Sequence, residues 1–285
     1  MTGTFNEKNL VVITWNGETI PFKYVFFDAA PQFEILLFNY SGKDQTTPSN
    51  THYDYLISAA TECKGQVLYE VEKYLHENHN VKYNYIGFLD DDIILKVSDI
   101  NFMLHIARLY ELDAFQPSVL HDSFHSHRFN LTDSSRLLRL VSWVEIMAPF
   151  FKHELLIAAR PFLSRSISSY GIDCYVIPFY QKIMGMEKTA VIHAVAIHHF
   201  QQITSSQKRY SNGLTAFEEA EKFRAEILNM VLKDYPHLLK DDTFMRKVLK
   251  QNQNWVDRLV SSVIKFKKLL DFMVNTLKNL YSRIN

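Results

Sequence analysis

No stretch constrains this chain more than Tyr85-Ile86-Gly87-Phe88-Leu89-Asp90-Asp91-Asp92-Ile93-Ile94. A short apolar run with aromatic and β-branched residues reads as a buried strand of about the usual ~5–6 residues. Three carboxylates then arrive at its end with no basic residue among them. Side chains alternate across an extended backbone, so Asp90 and Asp92 are expected to face one way and Asp91 the other. Adjacent like charges repel, and solvent, protonation or a cation relieves that repulsion. Mg²⁺ and Mn²⁺ prefer oxygen ligands and often hold substrate phosphates against one or two carboxylates. In open α/β sheets, ligands collect beyond the carboxyl ends of the strands, where this cluster would stand. A solvated acidic turn would also explain an isolated triplet; the apolar strand in front of it favours a metal–diphosphate site.

Around this strand the chain alternates between strand and helix patterns. Leu10 to Thr14 and Glu34 to Tyr40 read as buried strands, and the second is closed by the turn Ser41-Gly42-Lys43-Asp44. Tyr53 to Ile57 is a shorter strand candidate. Val67, Leu68, Val71 and Leu75 recur at helical spacing, which predicts an amphipathic helix over about Glu62 to Glu77. A second helix, with Ser98 as its cap, follows the acidic strand and carries Ile100, Met103, Leu104, Ala107 and Leu109. This alternation predicts an α/β fold with a mostly parallel sheet flanked by helices. No GxGxxG and no P-loop occurs, which argues against dinucleotide oxidoreductases and P-loop kinases.

The middle third holds most of the remaining polar candidates. His121, Asp122, His125, His127 and Arg128 follow Phe115-Gln116-Pro117-Ser118. Their spacing lacks the Cys and His pattern of a zinc site, so His125, His127 and Arg128 are read as a loop that hydrogen-bonds a polar substrate, or as a solvated loop. Glu145 stands inside the apolar run Ser142 to Phe151, where an unpaired charge would cost several kcal/mol. It is either paired with a structural Arg or a working carboxylate in a cleft. After a helix expected to end near Pro161, Tyr170-Gly171-Ile172-Asp173 sets another acid beside a flexible residue, where it works or merely caps a helix. Thr189 to His199 reads as a late strand ending in a His pair, one of which could complete a metal site.

In order along the chain, the segments Phe38-Asn39-Tyr40-Ser41-Gly42, Tyr85 to Asp92, Gln116-Pro117-Ser118, Val144 to Phe151, Tyr170-Gly171-Ile172-Asp173 and Val191-Ile192-His193 through His199 form a pattern. Together they resemble a family of bacterial and plant proteins catalogued as a domain of unknown function and regarded as GT-A-like glycosyltransferases. The resemblance spans about residues 8 to 205, and its most specific parts are Glu145-Ile146-Met147-Ala148-Pro149 and the ordered series of acidic strand, Gly-x-Asp and terminal His. It implies a GT-A-like (Rossmann-like) sheet and a nucleotide-sugar donor held with Mn²⁺ or Mg²⁺. It further implies Asp90 as the first acid of an Asp-x-Asp motif, Asp92 as the metal ligand and His199 as the late histidine at the metal or diphosphate. Asp90 also counts among the possible metal ligands, and Asp91, Asn39 and Lys64 join it as donor-binding candidates. Asp173 falls where such enzymes carry the general base, with Glu145 as the second candidate. The family often carries an acid where this chain has His193.

Glycosyl transfer leaves through an oxocarbenium-like state, so an acceptor hydroxyl needs a base, and inversion is expected if Asp173 is that base. The expected partners are a nucleotide-sugar donor and a glycan or glycolipid acceptor, in synthesis of a polysaccharide, with no nucleic acid. A metal-dependent hydrolase of nucleotide sugars or phosphoesters, or a non-catalytic partner subunit, are the rival readings.

The zero net charge hides an asymmetry. Arg246 to Asn285 carries nine Lys/Arg and two Asp/Glu, leaving 22 basic and 29 acidic residues elsewhere. Residues 1–210 are therefore expected to form the catalytic domain and 211–285 a helical, basic extension. Its opening is the capping-box pattern Thr215-Ala216-Phe217-Glu218. From Trp255 to Ile284, apolar residues step by three or four among lysines, a stripe suited to an anionic membrane surface, to its own domain or to a second copy. Only Cys63 and Cys174 are present, and no apolar run reaches ~18 residues. The expected location is cytoplasmic, or peripheral on the inner face of the membrane.

Overall fold

A computed structural model of the chain describes residues 8–43, 52–78, 82–202, 207–241 and 244–245. The stripe expected from Trp255 to Ile284 lies outside the described residues. The chain divides into two compact units, Met1–Ile227 and Leu228–Asn285, and the site belongs to the first.

Strands β1 (Leu10–Trp15), β3 (Glu34–Asn39) and β5 (Tyr85–Leu89) are continuous apolar runs, and nearly every residue in them is buried. Such strands suit the interior of a parallel sheet covered on both faces. β1 pairs in parallel with both β3 and β5, and β4 (Tyr55–Ser58) extends the sheet beyond β3. On the other side of β5 the order continues through β9 (Phe150–Lys152), β7 (Ala114–Val119), β10 (Thr189–His199), β6 (Ile93–Lys96) and β2 (Val25–Phe26). β8 (Leu138–Leu140) pairs antiparallel with the early part of β10. Helices α1 (Lys64–Asn78), α2 (Val97–Leu109), α3 (His153–Leu163) and α4 (Ile177–Met184) connect the strands.

The mostly parallel sheet forms as expected, with β9 added antiparallel between β5 and β7 from an apolar run that carries no strand signal of its own. Close approach there requires Gly87, since a Cβ on it would stand 2.2 Å from the Phe150 ring. One expectation needs correction: a strand, β6, intervenes between the acidic triplet and α2. Ser98 then sits inside the first turn of α2 and cannot cap it; its N–H and hydroxyl instead bond to Asp28 at 3.0 and 2.7 Å. Helix α3 ends at Leu163, near Pro161 as expected.

The capping box forms as its pattern predicts. Glu218 N–H donates to Thr215 Oγ1 at 3.2 Å and Thr215 N–H to Glu218 Oε2 at 2.8 Å, opening helix α5 (Ala216–Asp234). The start of α5 belongs to the first unit, because buried Glu219 accepts bonds from Ser166, Ile167 and Ser168. No helix among the described residues is long and apolar enough to cross a membrane.

Candidate active site

The topology assembles the site at the carboxyl end of β5. A tight turn follows Leu89, and β6 then pairs antiparallel with the end of β10, setting Ile93 opposite His199. This pairing brings the acidic triplet and the late histidine together. Asp92 Oδ2 and His199 Nε2 are 3.0 Å apart, and His199 Nδ1 lies 3.0 Å from the Phe124 carbonyl. Both ring nitrogens therefore face acceptor oxygens, which a neutral imidazole cannot satisfy. Either a proton or a cation must lie between His199 and Asp92. Burial opposes a charged ring, but the hydrogen bond and charge of Asp92 hold the His199 pKa above its ordinary value. The other oxygen of Asp92, Oδ1, is buried without a partner.

The three acids separate as alternation suggests, although a turn rather than a strand does it. Asp90 and Asp92 line the main cavity, of about 230 Å³, whereas Asp91 accepts a 2.9 Å bond from the Tyr40 hydroxyl. Lys64, in the first turn of α1, reaches Asp90 Oδ1 at 2.6 Å and the Met147 carbonyl at 2.8 Å. Burial pushes the Asp90 carboxyl up to about 6, with Lys64 opposing and its acidic neighbours adding. Burial also raises the Asp91 pKa, against the Tyr40 hydrogen bond.

Glu145 lines the same cavity, and no arginine among the described residues pairs with it. Asn130 Nδ2 donates to its Oε2, and its own N–H donates to Gln116 Oε1 on β7. Asp173 sits in a π turn (Ile172–Val176) opened by Gly171 at φ +86, where a Cβ would come within 2.9 Å of the Ala220 backbone. Its Oδ1 accepts the Cys174 N–H at 2.8 Å. Burial pushes the Asp173 carboxyl up to about 7, and the charge of Glu145 adds to the rise. Asp173 is not itself among the lining residues; Tyr170, three residues before it, is. Burial raises the Tyr170 pKa, and the charges of Asp173 and Glu145 add to the rise.

The other expected site residues are distributed unevenly. His125 lines the cavity and bonds the Ser123 carbonyl at 3.0 Å. His127 does not line it; it packs against Phe129 and Trp143 at 5.6 and 4.8 Å. Arg128 opens an exposed turn, also outside the lining. Asn39 is fully buried and engaged by its own turn, accepting from the Ser41 N–H and hydroxyl and donating to the Lys43 carbonyl. His193 lies away from the cavity lining, its Nδ1 accepting the Asp133 N–H at 3.1 Å while Nε2 is buried without a partner. Asn130, Tyr210 and Phe124 carry no sequence signal, and Tyr170 enters the sequence reading only as the start of the Gly-x-Asp segment.

No protein-family model matches the sequence, and no curated protein matches it. Solved structures do. The chain superposes on S. aureus TarS with a TM-score of 0.51 at 8% identity, over 87% of this chain and 44% of TarS. It superposes on TarS 1–349 in complex with UDP-GlcNAc with a TM-score of 0.52 at 10% identity, over 87% of this chain and 74% of the other. The chain thus matches less than half the length of the full TarS chain. At this identity the likeness shows the fold, which is the GT-A α/β fold.

Proposed function

We propose that the chain is a glycosyltransferase that moves a sugar from a nucleotide-sugar donor, with a divalent cation, to a hydroxyl of a glycan or glycolipid acceptor. The observation that carries this reading is the Asp92–His199 pair. Two groups that both need a positive partner face each other at the carboxyl end of β5, beside an orphaned carboxylate oxygen. The complex of TarS 1–349 with UDP-GlcNAc supports a nucleotide-sugar donor in this fold.

Among the described residues, no group of three or more His, Cys, Asp or Glu side chains is arranged to hold a metal ion. A donor set of Asp92 and His199 still fits Mn²⁺ or Mg²⁺, because these ions often take few protein ligands and complete their shell with diphosphate oxygens and water. The bond from His199 Nδ1–H to the Phe124 carbonyl orients the ring as metal-bound histidines are commonly oriented. Once bound, the cation supplies positive charge for the departing nucleoside diphosphate.

The remaining work falls to side chains of this chain. Lys64 holds Asp90 in place at the donor end. Asp173, with a pKa raised to about 7, is poised to take the proton of the acceptor hydroxyl near neutral pH. Glu145, oriented by Asn130, is the alternative base. Direct displacement by the acceptor oxygen then gives inversion at the anomeric carbon.

The test is product analysis of UDP-sugar turnover with Mn²⁺ or EDTA, with and without saccharide acceptors. Acceptor-dependent, EDTA-sensitive UDP release with a new glycoside bears the reading out. Release of free sugar at one rate, with or without acceptors, would make the protein a hydrolase instead.

A further inference from the structure

Beyond Lys64, Asp90, Asp92, Glu145 and the two histidines, the described cavity wall carries only uncharged side chains. The Lys64 ammonium is engaged by Asp90 and the Met147 carbonyl, so no lining cation is left for a second anionic group. Lys208 lies over the Tyr210 ring at 4.9 Å but does not line the cavity. Two aromatic side chains of the wall stay open to solvent, Tyr170 at 40% and Phe124 at 43% exposure. Exposed aromatic rings beside hydroxyl and amide groups suit a ligand with one apolar face and many hydroxyls.

Tyr170 is also held in place rather than left to a flexible loop. Its N–H donates to Ser168 Oγ at 3.2 Å, and that hydroxyl donates to the buried Glu219 at 2.8 Å. Glu219 further accepts Ser166 Oγ at 2.9 Å, the Ile167 and Ser168 N–H groups at 3.1 Å, and Asn212 Nδ2 at 3.1 Å. On the other side of this loop, the Ile167 carbonyl accepts the N–H of Gly65, the residue after Lys64, at 3.0 Å. The platform is therefore preorganised, which lowers the entropy cost of binding.

We propose that this wall is the acceptor subsite and that the acceptor is an uncharged saccharide, its apolar ring face laid on Tyr170 and its nucleophilic hydroxyl turned toward Asp173 and Glu145. The inference rests on the glycosyltransferase reading and names the substrate class of that site. In the transfer, the acceptor oxygen forms its bond to the anomeric carbon as the bond from that carbon to the diphosphate oxygen breaks. The electron pair leaves with the nucleoside diphosphate, and the acceptor proton passes to the carboxylate. An acceptor carrying phosphate or carboxylate would bring a further negative charge into a wall that already holds Asp90, Asp92 and Glu145, with no free cation in the described wall to meet it.

Two measurements on the full chain separate this inference from the reading beneath it. UDP binding with Mn²⁺, followed by calorimetry, tests the donor site alone. A glycan array of neutral, uronic-acid and phosphorylated saccharides, probed with UDP and Mn²⁺ present, tests the acceptor class. Retention on neutral glycans is expected, and Tyr170→Ala should weaken it by about 10-fold or more while the UDP Kd stays within about twofold. Tyr170→Phe, which keeps the ring, should hold glycan affinity within about threefold. UDP binding with retention only on charged glycans, with no glycan retained, or with Tyr170→Ala unchanged on neutral ones, overturns the acceptor assignment and leaves the donor site standing. Absence of binding by UDP and by every other nucleoside diphosphate titrated with Mn²⁺ overturns both.

Discussion

Replacing Asp173 by Asn should stabilise the protein at neutral pH while removing transfer, and the pH dependence of that gain is specific. Burial and the nearby Glu145 charge push the Asp173 carboxyl up from 3.8 to about 7 in the folded chain. The folded state therefore binds a proton that the unfolded chain has already released between pH ~4 and ~7, so stability falls as pH rises through this window. Three units of difference correspond to roughly 4 kcal/mol at full linkage, and relaxation of the surroundings reduces the observable part to about 1–3 kcal/mol. Asn is nearly isosteric and its Oδ1 keeps the acceptor role toward the Cys174 N–H. For a chain of this size, 1 kcal/mol moves Tm by roughly 2–4 °C. Thermal melts of both proteins from pH 4 to 9 are expected to coincide near pH 4, diverge through pH 7 and run parallel above pH 8, with Asp173→Asn the more stable. A variant less stable at every pH, or a gap that does not change with pH, would refute the assignment of a raised pKa to Asp173.

Other perturbations follow from the same geometry. Glu219→Ala leaves the Ile167 N–H, the buried Ser168 N–H and the buried Ser166 hydroxyl without their acceptor, so a loss of about 3–5 kcal/mol, or roughly 10 °C in Tm, is expected in a thermal melt. Gly87→Ala drives a methyl into the Phe150 ring, itself stacked on Phe115 at 4.8 Å, and should cost about 1–3 kcal/mol or more by urea unfolding. Lys64→Met removes the cation that opposes protonation of Asp90. The Asp90 carboxyl should then stay protonated to higher pH, and UDP binding with Mn²⁺ should recover only at more alkaline pH than in the unsubstituted protein.

Much of the site was legible because its residues lie in short, distinctive segments. Asp90 and Asp92 follow the apolar strand β5 in a turn, His199 ends the apolar strand β10, and β10 forms over the range Thr189 to His199 that the sequence predicts. Glu145 stood out as a lone acid in an apolar run. Its partner did not, since Asn130 sits in a polar loop where nothing marks a residue destined for full burial. β6 is not legible because Ile93-Ile94-Leu95-Lys96 is only a four-residue apolar run just past the acidic turn; β10 offers it the edge that makes it a strand. Glu219 reads as one more acid at the start of a helix, and only the fold turns it inward beneath the serine loop. His127, chosen for its neighbours in sequence, packs instead with Phe129 and Trp143, as an aromatic ring does when apolar surface is near.

The central claim is that Asp92 and His199 face each other to hold a cation against a nucleotide diphosphate. Isothermal titration of UDP into the full chain with Mn²⁺, repeated with EDTA and with Asp92→Ala, tests it most directly. Binding that needs Mn²⁺ and weakens at least ~100-fold in Asp92→Ala is the predicted result. Equal UDP affinity in all three titrations would contradict it.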